Sequence, residues 1–261
     1  MCKFVDLNST ISLIILISAV NGNLPNKIYG GIRTLMYQRP WMVSVQYHEH
    51  HMCGGTIISE SHIATAASCV TADSHIFYSN LQVLSGTDDI MEPRESLYRQ
   101  IHQVEFAIIH ENYEPHSFWI NDIAILKLVS KIEVNYLSKP ATFFAGPSSS
   151  KTYHATGWGN DPTTSTLTRY LHETKVKSIP NNMCKQKYYQ HGVFTKSQYC
   201  FLPILKTARI TEGNGGSPII AGRTLVGIIS LVPTTLNYPA VYTRLYFYHM
   251  WINEILAGVS N

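Results

Sequence analysis

The feature that most constrains the fold is a series of short apolar runs, each of strand length and set off by Gly, Pro, Asn or Ser. Trp41–Tyr47 (WMVSVQY), Gly55–Ser59 (GTIIS), Ile123–Val129 (IAILKLV) and Leu225–Val232 (LVGIISLV) are examples. Runs rich in Val, Ile and Tyr suit a pleated, half-buried surface, so the chain reads as all-β, a barrel or a sandwich. Helical spacing is clear only near the end, where Tyr246, Met250, Trp251, Ile255 and Leu256 recur; a helix is expected over about 246–257. The length from Ile28 onward suits one large β domain or two small barrels.

The run Ile11–Val20 (ISLIILISAV) is too short to span a bilayer but suits the core of a secretory leader, with a cut expected near Gly22. Residues 1–22 are therefore expected to be a signal peptide, residues 23–27 a short propeptide, and the product exported to the extracellular space. Cys2 leaves with the leader, and Cys53, Cys69, Cys184 and Cys200 remain. An even number in an exported chain favours disulfides over metal or redox roles. Three pairings are possible; spacing favours the short loops 53–69 and 184–200, each stabilising by about 3 kcal/mol in the loop-entropy picture.

Of the full chain 45% is hydrophobic and 14% charged, with neither repeats nor low-complexity tracts. Without residues 1–27, 18 basic residues face 16 acidic ones. No clustered basic face is evident along the sequence, which argues against nucleic-acid or heparin binding. No later apolar stretch is long enough for a membrane span. Neither cofactor nor metal is expected, and a monomer is. His48 and His50 would share one strand face beside Glu49 and His51, but no third ligand accompanies them. The sixteen tyrosines are expected mostly to pack in or line the core, with some exposed for a partner. The single Asn-x-Ser/Thr sequence, Asn8-Ser9-Thr10, lies in the leader.

Several separated motifs agree in type and order. Gly213-Asn214-Gly215-Gly216-Ser217-Pro218 resembles the Gly-Asp-Ser-Gly-Gly-Pro signature of trypsin-like serine proteases. Ile28-Tyr29-Gly30-Gly31 resembles the family's mature amino terminus, freed by a cut after a basic residue such as Lys27. Cys53-Gly54-Gly55-Thr56 through Thr65-Ala66-Ala67-Ser68-Cys69 looks like the segment of the catalytic histidine, and Asn121-Asp122-Ile123-Ala124 that of the catalytic aspartate. Thr156-Gly157-Trp158-Gly159, Pro239–Arg244 and Trp251-Ile252-Asn253 resemble the family's mid-chain turn, last strand and final helix. The resemblance covers residues 28–261. It implies two six-stranded antiparallel β-barrels, about 28–135 and 136–245, followed by the helix.

The same resemblance implies a triad, and this chain departs from it. Acyl transfer needs a serine nucleophile, an imidazole base, a carboxylate that orients it and two N–H groups for the oxyanion. Ser68 stands where the histidine should be and Gly215 where the serine should be, while Asp122 is kept. Ser230 matches the family serine that bonds that carboxylate. Loss of nucleophile or base alone removes roughly 10⁶ in turnover. The oxyanion hole would be a remnant at Gly213 and Gly215. The family shapes it by pairing the new amino terminus with an aspartate, and that position holds Asn214 opposite Ile28. Ser217, two positions beyond Gly215 at a tight turn, is expected to point elsewhere, so a rescued protease is not expected.

The specificity pocket is altered as well. Arg209 stands where trypsin keeps an aspartate; it is either a solvent-facing loop residue or a group that closes the pocket or receives an acid. Thr211 replaces a pocket cysteine, and Leu231–Leu236 lacks its partner. Leu231, Val232 and Pro233 stand where the family runs Ser-Trp-Gly, and bulk at Val232 should narrow the entrance of this altered pocket, which also includes Ala240.

These losses are similar to those of the inactivated protease paralogues of scabies-type mites, relatives of the group 3 mite allergens. That kinship implies binding to host proteins, complement among them. A residual hydrolase and a scaffold for an acidic small ligand are the alternatives.

Overall fold

The apolar runs become strands. In the computed structural model, residues 28, 30–71, 80–93, 95–143, 152–161, 164, 166–188, 194–233 and 238–258 are described. The expected leader, residues 23–27 with Lys27, Tyr29 and residues 234–236 of the Leu231–Leu236 stretch lie outside them.

A first short strand, β1 (Ile32–Arg33), precedes a closed barrel of six. Its strands are β2 (Met42–Tyr47), β3 (His50–Ser59), β4 (His62–Thr65), β5 (Leu81–Ser85), β6 (Gln100–Ile109) and β7 (Ala124–Leu128), in the order β2-β3-β4-β7-β6-β5 with β5 returning to β2. After β8 (Thr142–Phe143) comes a second closed ring. It comprises β9 (Thr152–Gly157), β10 (His172–Ser178), β11 (Gln198–Pro203), β12 (Pro218–Ala221), β13 (Thr224–Leu231) and β14 (Ala240–Arg244). The ring runs β9-β10-β11-β14-β13-β12 and closes from β12 onto β9. Closure leaves no ladder edge within either ring. The expected pair of six-stranded antiparallel barrels is the fold observed.

Alternation decides the cores. Val43, Val45, Ile57, Ile63, Leu81, Val83 and Leu126 fill the first barrel, and Ile28, Tyr153, Phe201, Ile219, Ile229 and Tyr242 the second. Two disulfides, Cys53–Cys69 and Cys184–Cys200, form the pairs that spacing favours. They anchor α1 (Ser68–Thr71) to β3 and α2 (Asn181–Tyr188) to β11.

Three expectations need correcting. Residues 28–33 belong structurally to the second barrel: β1 pairs with β10, Ile32 opposite Glu173, and Ile28 is buried in the second core. The end of the chain is a 3-10 turn, Leu245–Tyr248, followed by α3 (His249–Leu256), instead of one helix from residue 246. Its buried face is Leu245, Tyr248, Ile252 and Ile255, packed on the first barrel's cluster, while Met250 is 66% exposed. Trp251 and Leu256 are partly buried against the same cluster, so of the expected apolar positions Trp251, Ile255 and Leu256 do pack on it. Finally, His48 and Glu49 form the turn between β2 and β3 with φ of 49° and 67°, so His48 and His50 share no strand face. Among the described residues, no helix is long and apolar enough to cross a membrane.

Candidate functional site

Asp122 is the centre of the site. It is fully buried just before β7, and its carboxylate is surrounded by donors from both barrels. Ser68, at the start of α1, donates its backbone N–H to Oδ1 at 2.7 Å and its hydroxyl to Oδ2 at 2.9 Å. Ser230 on β13 donates to Oδ2 at 2.6 Å, and the Ala67 N–H adds a further bond. Thr243 on β14 donates to the Asp122 carbonyl at 3.0 Å. Burial pushes the Asp122 carboxyl upward in pKa, and the four hydrogen bonds to the carboxylate oppose that. Ser68 thus fills with its own hydroxyl the acceptor that would orient an imidazole. It brings no base to the site.

The chain reaches Asp122 through an unusual loop that sequence reading missed. Phe118, Trp119 and Asn121 have φ of 57°, 52° and 56°, a region that non-glycine residues enter at a cost of about 1–3 kcal/mol each. Packing compensates. Phe118 is buried against Tyr188, Phe194 and the Cys184–Cys200 bridge, and Gln198 Nε2 donates to its carbonyl at 2.7 Å. Tyr248 Oη donates to Asn121 Oδ1 at 2.8 Å. The aromatic run His116–Ile120 was the only available signal.

The 213–217 turn is pinned between the barrels. Gly54 N donates to Gly215 O at 2.8 Å, Gly216 N to Ile229 O at 2.8 Å, and Ser217 N to Asn214 O at 3.1 Å. Gly215 differs from its neighbours. Gly213 and Gly216 have φ of +87° and +75°, and a Cβ at 216 would lie 2.3 Å from Thr65 Oγ1 and 2.4 Å from Gly54 O. A Cβ at Gly215 would meet only Cys53 Sγ at 3.6 Å and Cys69 Sγ at 3.7 Å, ordinary contact. Nothing in the backbone or packing demands glycine there. Among the described residues, the N–H groups of Gly213 and Gly215 have no acceptor, so the donors of the expected oxyanion remnant stay available. Ser217 is completely buried, as its predicted turn away from the site requires, and its Oγ has no partner among the described residues.

His51, grouped in sequence with an exposed histidine patch, belongs to the framework under this turn. Its Nδ1 lies 2.8 Å from Ser44 Oγ and its Nε2 3.0 Å from Gly213 O, with the ring edge-on to Trp158. Nε2 donates to the carbonyl, which leaves Nδ1 to accept from the Ser44 hydroxyl. Loss of water around the ring pushes its pKa from 6.5 down to about 4. No sequence signal places it there, because Gly213 is 162 residues away.

Of the expected activation pair, no hydrogen bond between Ile28 and Asn214 is found among the described residues. Ile28 and Asn214 are both buried. Asn214 Nδ2 donates to Thr211 O at 2.9 Å and to Thr211 Oγ1 at 3.3 Å, and its Oδ1 has no partner among the described residues. Thr211 thus serves as the acceptor for Asn214. Arg209 is partly exposed on its loop, and its Nη1 donates to Lys206 O at 2.6 Å and Ala208 O at 2.8 Å. Leu231 packs beside the Cys184–Cys200 cluster, Val232 against the second core, and Ala240 is buried on β14 opposite Phe201. Among the described residues, no three His, Cys, Asp or Glu side chains converge as metal ligands.

Comparison with known proteins fits this geometry. The family model for trypsin matches residues 28–252. Granzyme M of Rattus norvegicus is 28% identical over 251 residues, 93% of this chain and 94% of its own length. Trypsin alpha-4 of Lucilia cuprina is 27% identical over 270 residues, 99% of this chain and 100% of its own. Among solved structures, the scabies mite inactivated protease paralogue S-D1 superposes with a TM-score of 0.79 at 21% identity, over 89% of this chain and 98% of its own.

Proposed function

We propose that this chain, which belongs to the trypsin family, is a secreted pseudoprotease that works by binding protein and does not hydrolyse peptides. One observation carries the reading: the Asp122 carboxylate is taken up by hydrogen bonds from Ser68 and Ser230, and position 215, where the family keeps its serine, holds a glycine. On this reading nucleophile and base are both missing, while the Asp122 carboxylate keeps its Ser230 bond. Serine has no basicity near neutral pH, and glycine offers no atom to acylate, so neither half of the acyl-transfer step has a donor or an acceptor. Asn214 adds to this, because an amide forms a weaker bond with an amine than a carboxylate would.

Two disulfides are in keeping with an extracellular setting, as is the leader-like run at residues 11–20. The finer reading follows the resemblance to the inactivated paralogues of parasitic mites, kin to the group 3 allergens. The partners are then host defence proteins such as complement components, bound by a monomer.

The test is paired. Turnover of a panel of Lys, Arg, Tyr and Leu peptide amides is measured beside trypsin, and the protein is immobilised to capture partners from the extracellular fluid it meets. No turnover, with a captured protein whose purified form binds at submicromolar Kd, supports the reading. Turnover that disappears in Asp122→Ala would overturn it in favour of a residual hydrolase.

A further inference from the structure

The near-neutral total charge conceals a segregation that the fold turns into a surface. Residues 28–135 carry 6 Lys and Arg against 12 Asp and Glu, net −6, and residues 136–261 carry 12 against 4, net +8. Apart from residues 28–33 and the C-terminal helix, the two stretches correspond to the two barrels, so the first barrel's chain is rich in acidic residues and the second's in basic ones.

Within the basic half, five exposed lysines lie on adjoining segments, Lys185 and Lys187 being two apart on α2 and so on different sides of that helix. Lys175 and Lys177 alternate with buried Val176 on β10, and both face solvent. Ile204 N donates to the Lys175 carbonyl at 2.9 Å, which brings the exposed segment Ile204–Lys206 alongside. In the other direction Lys177 stands opposite Leu202, Ile179 N donates to Cys200 O, and Cys200 is bridged to Cys184. That bridge seats α2, whose Lys185 and Lys187 are exposed. The strand pair between the two ends is about 13 Å long at the rise of a β-strand. Among the described residues none of the five lysines has a carboxylate partner. Exposed Ile204, Leu205 and Met183 flank these lysines.

We infer that this track, Lys206–Lys175–Lys177–Lys185/Lys187, is a binding site for an extended sulfated polysaccharide. The absence of a basic cluster expected from sequence is corrected here: the lysines are separated along the chain and gathered by β10, the segment after β11 and the Cys184–Cys200 bridge. Lysines on adjoining segments suit a linear polyanion. Lysine ammonium groups are point charges on flexible stems without a planar fork, so they can follow a row of anionic groups without a fixed bidentate geometry. The disulfides match an extracellular setting, where sulfated chains are encountered. The inference does not depend on the absence of catalysis.

The test uses the residue 28–261 protein and a heparin-derived octasaccharide, by titration calorimetry at several salt concentrations. Binding is expected to weaken steeply with salt, and Lys175→Gln/Lys177→Gln/Lys206→Gln should lower affinity about tenfold or more. Lys131→Gln on the first barrel should leave it unchanged, and circular dichroism of each variant checks that the fold is retained. Octasaccharide binding that is absent, or equal in the triple variant, overturns the site. Tighter binding of an oligothymidylate of equal charge assigns the track to nucleic acid and overturns the proposal. So does low-salt self-association that the triple variant abolishes, because the acidic barrel of a second copy would then be the occupant.

Discussion

Ser68 gives both its donors to one carboxylate, its N–H to Asp122 Oδ1 at 2.7 Å and its hydroxyl to Oδ2 at 2.9 Å. Ser230 reaches Oδ2 from the other barrel at 2.6 Å. A residue that orients an imidazole in the family is here a tie between α1 and β13. Asp122 thus has a structural role of its own, since removing it would strand several buried donors.

Stability should report that tie. Ser68→Ala deletes one hydrogen bond to a charged acceptor and is expected to destabilise by about 1.5–3 kcal/mol. Asp122→Ala, which leaves the Ser68 and Ser230 donors without an acceptor, should cost about 3 kcal/mol or more. Urea unfolding followed by tryptophan fluorescence measures both. Equal stability of Asp122→Ala and the parent would show that the carboxylate holds nothing together.

Acid should loosen the framework through His51. The unfolded imidazole takes up a proton as pH falls through 6.5, whereas the folded one resists until about 4. The unfolded state therefore binds more protons between those values, so the stability contributed is complete above 6.5 and is lost as pH falls. For His51 the loss between pH 7 and pH 5 is about 2 kcal/mol. Desolvation also lowers the pKa of His62, His102 and His110, which add to the same limb. His51→Gln should be less stable at pH 7 and should show a correspondingly flatter decline from pH 7 to pH 5.

Much of this architecture was legible in the chain. The runs at 41–47, 123–129 and 225–232 became β2, β7 and β13 because local alternation and burial agree there. Cys53–Cys69 and Cys184–Cys200 were legible because each closes a loop of 16 residues. What failed was non-local. His51 looked like a surface histidine until Gly213 folded over it, and the lysine track appears only when β10 lies beside Ile204–Lys206. Arg209 was read by its place in the family motif, yet the carbonyls of Lys206 and Ala208 decide where its guanidinium sits.

Gly215 and Gly216 should respond oppositely to the same change. Gly215→Ser adds a side chain in ordinary contact with the Cys53–Cys69 sulfurs and should shift Tm by no more than a few degrees. Gly216→Ser must fit a Cβ 2.3 Å from Thr65 Oγ1 at positive φ and is expected to destabilise by roughly 2–4 kcal/mol. The double change Ser68→His with Gly215→Ser should fold but hydrolyse trypsin substrates poorly, because Asn214 and Arg209 remain. Trypsin-like turnover from that variant would refute the weight placed on those two positions.

The most direct measurement is intact mass after treatment with a serine-directed fluorophosphonate, on protein cleaved between Lys27 and Ile28, beside trypsin as a positive control. With Ser68 bound to Asp122, Ser217 buried and glycine at 215, no adduct is predicted under conditions that modify trypsin completely. One stoichiometric adduct per chain would mean that an activated serine exists in this fold, and the protein would then be an enzyme.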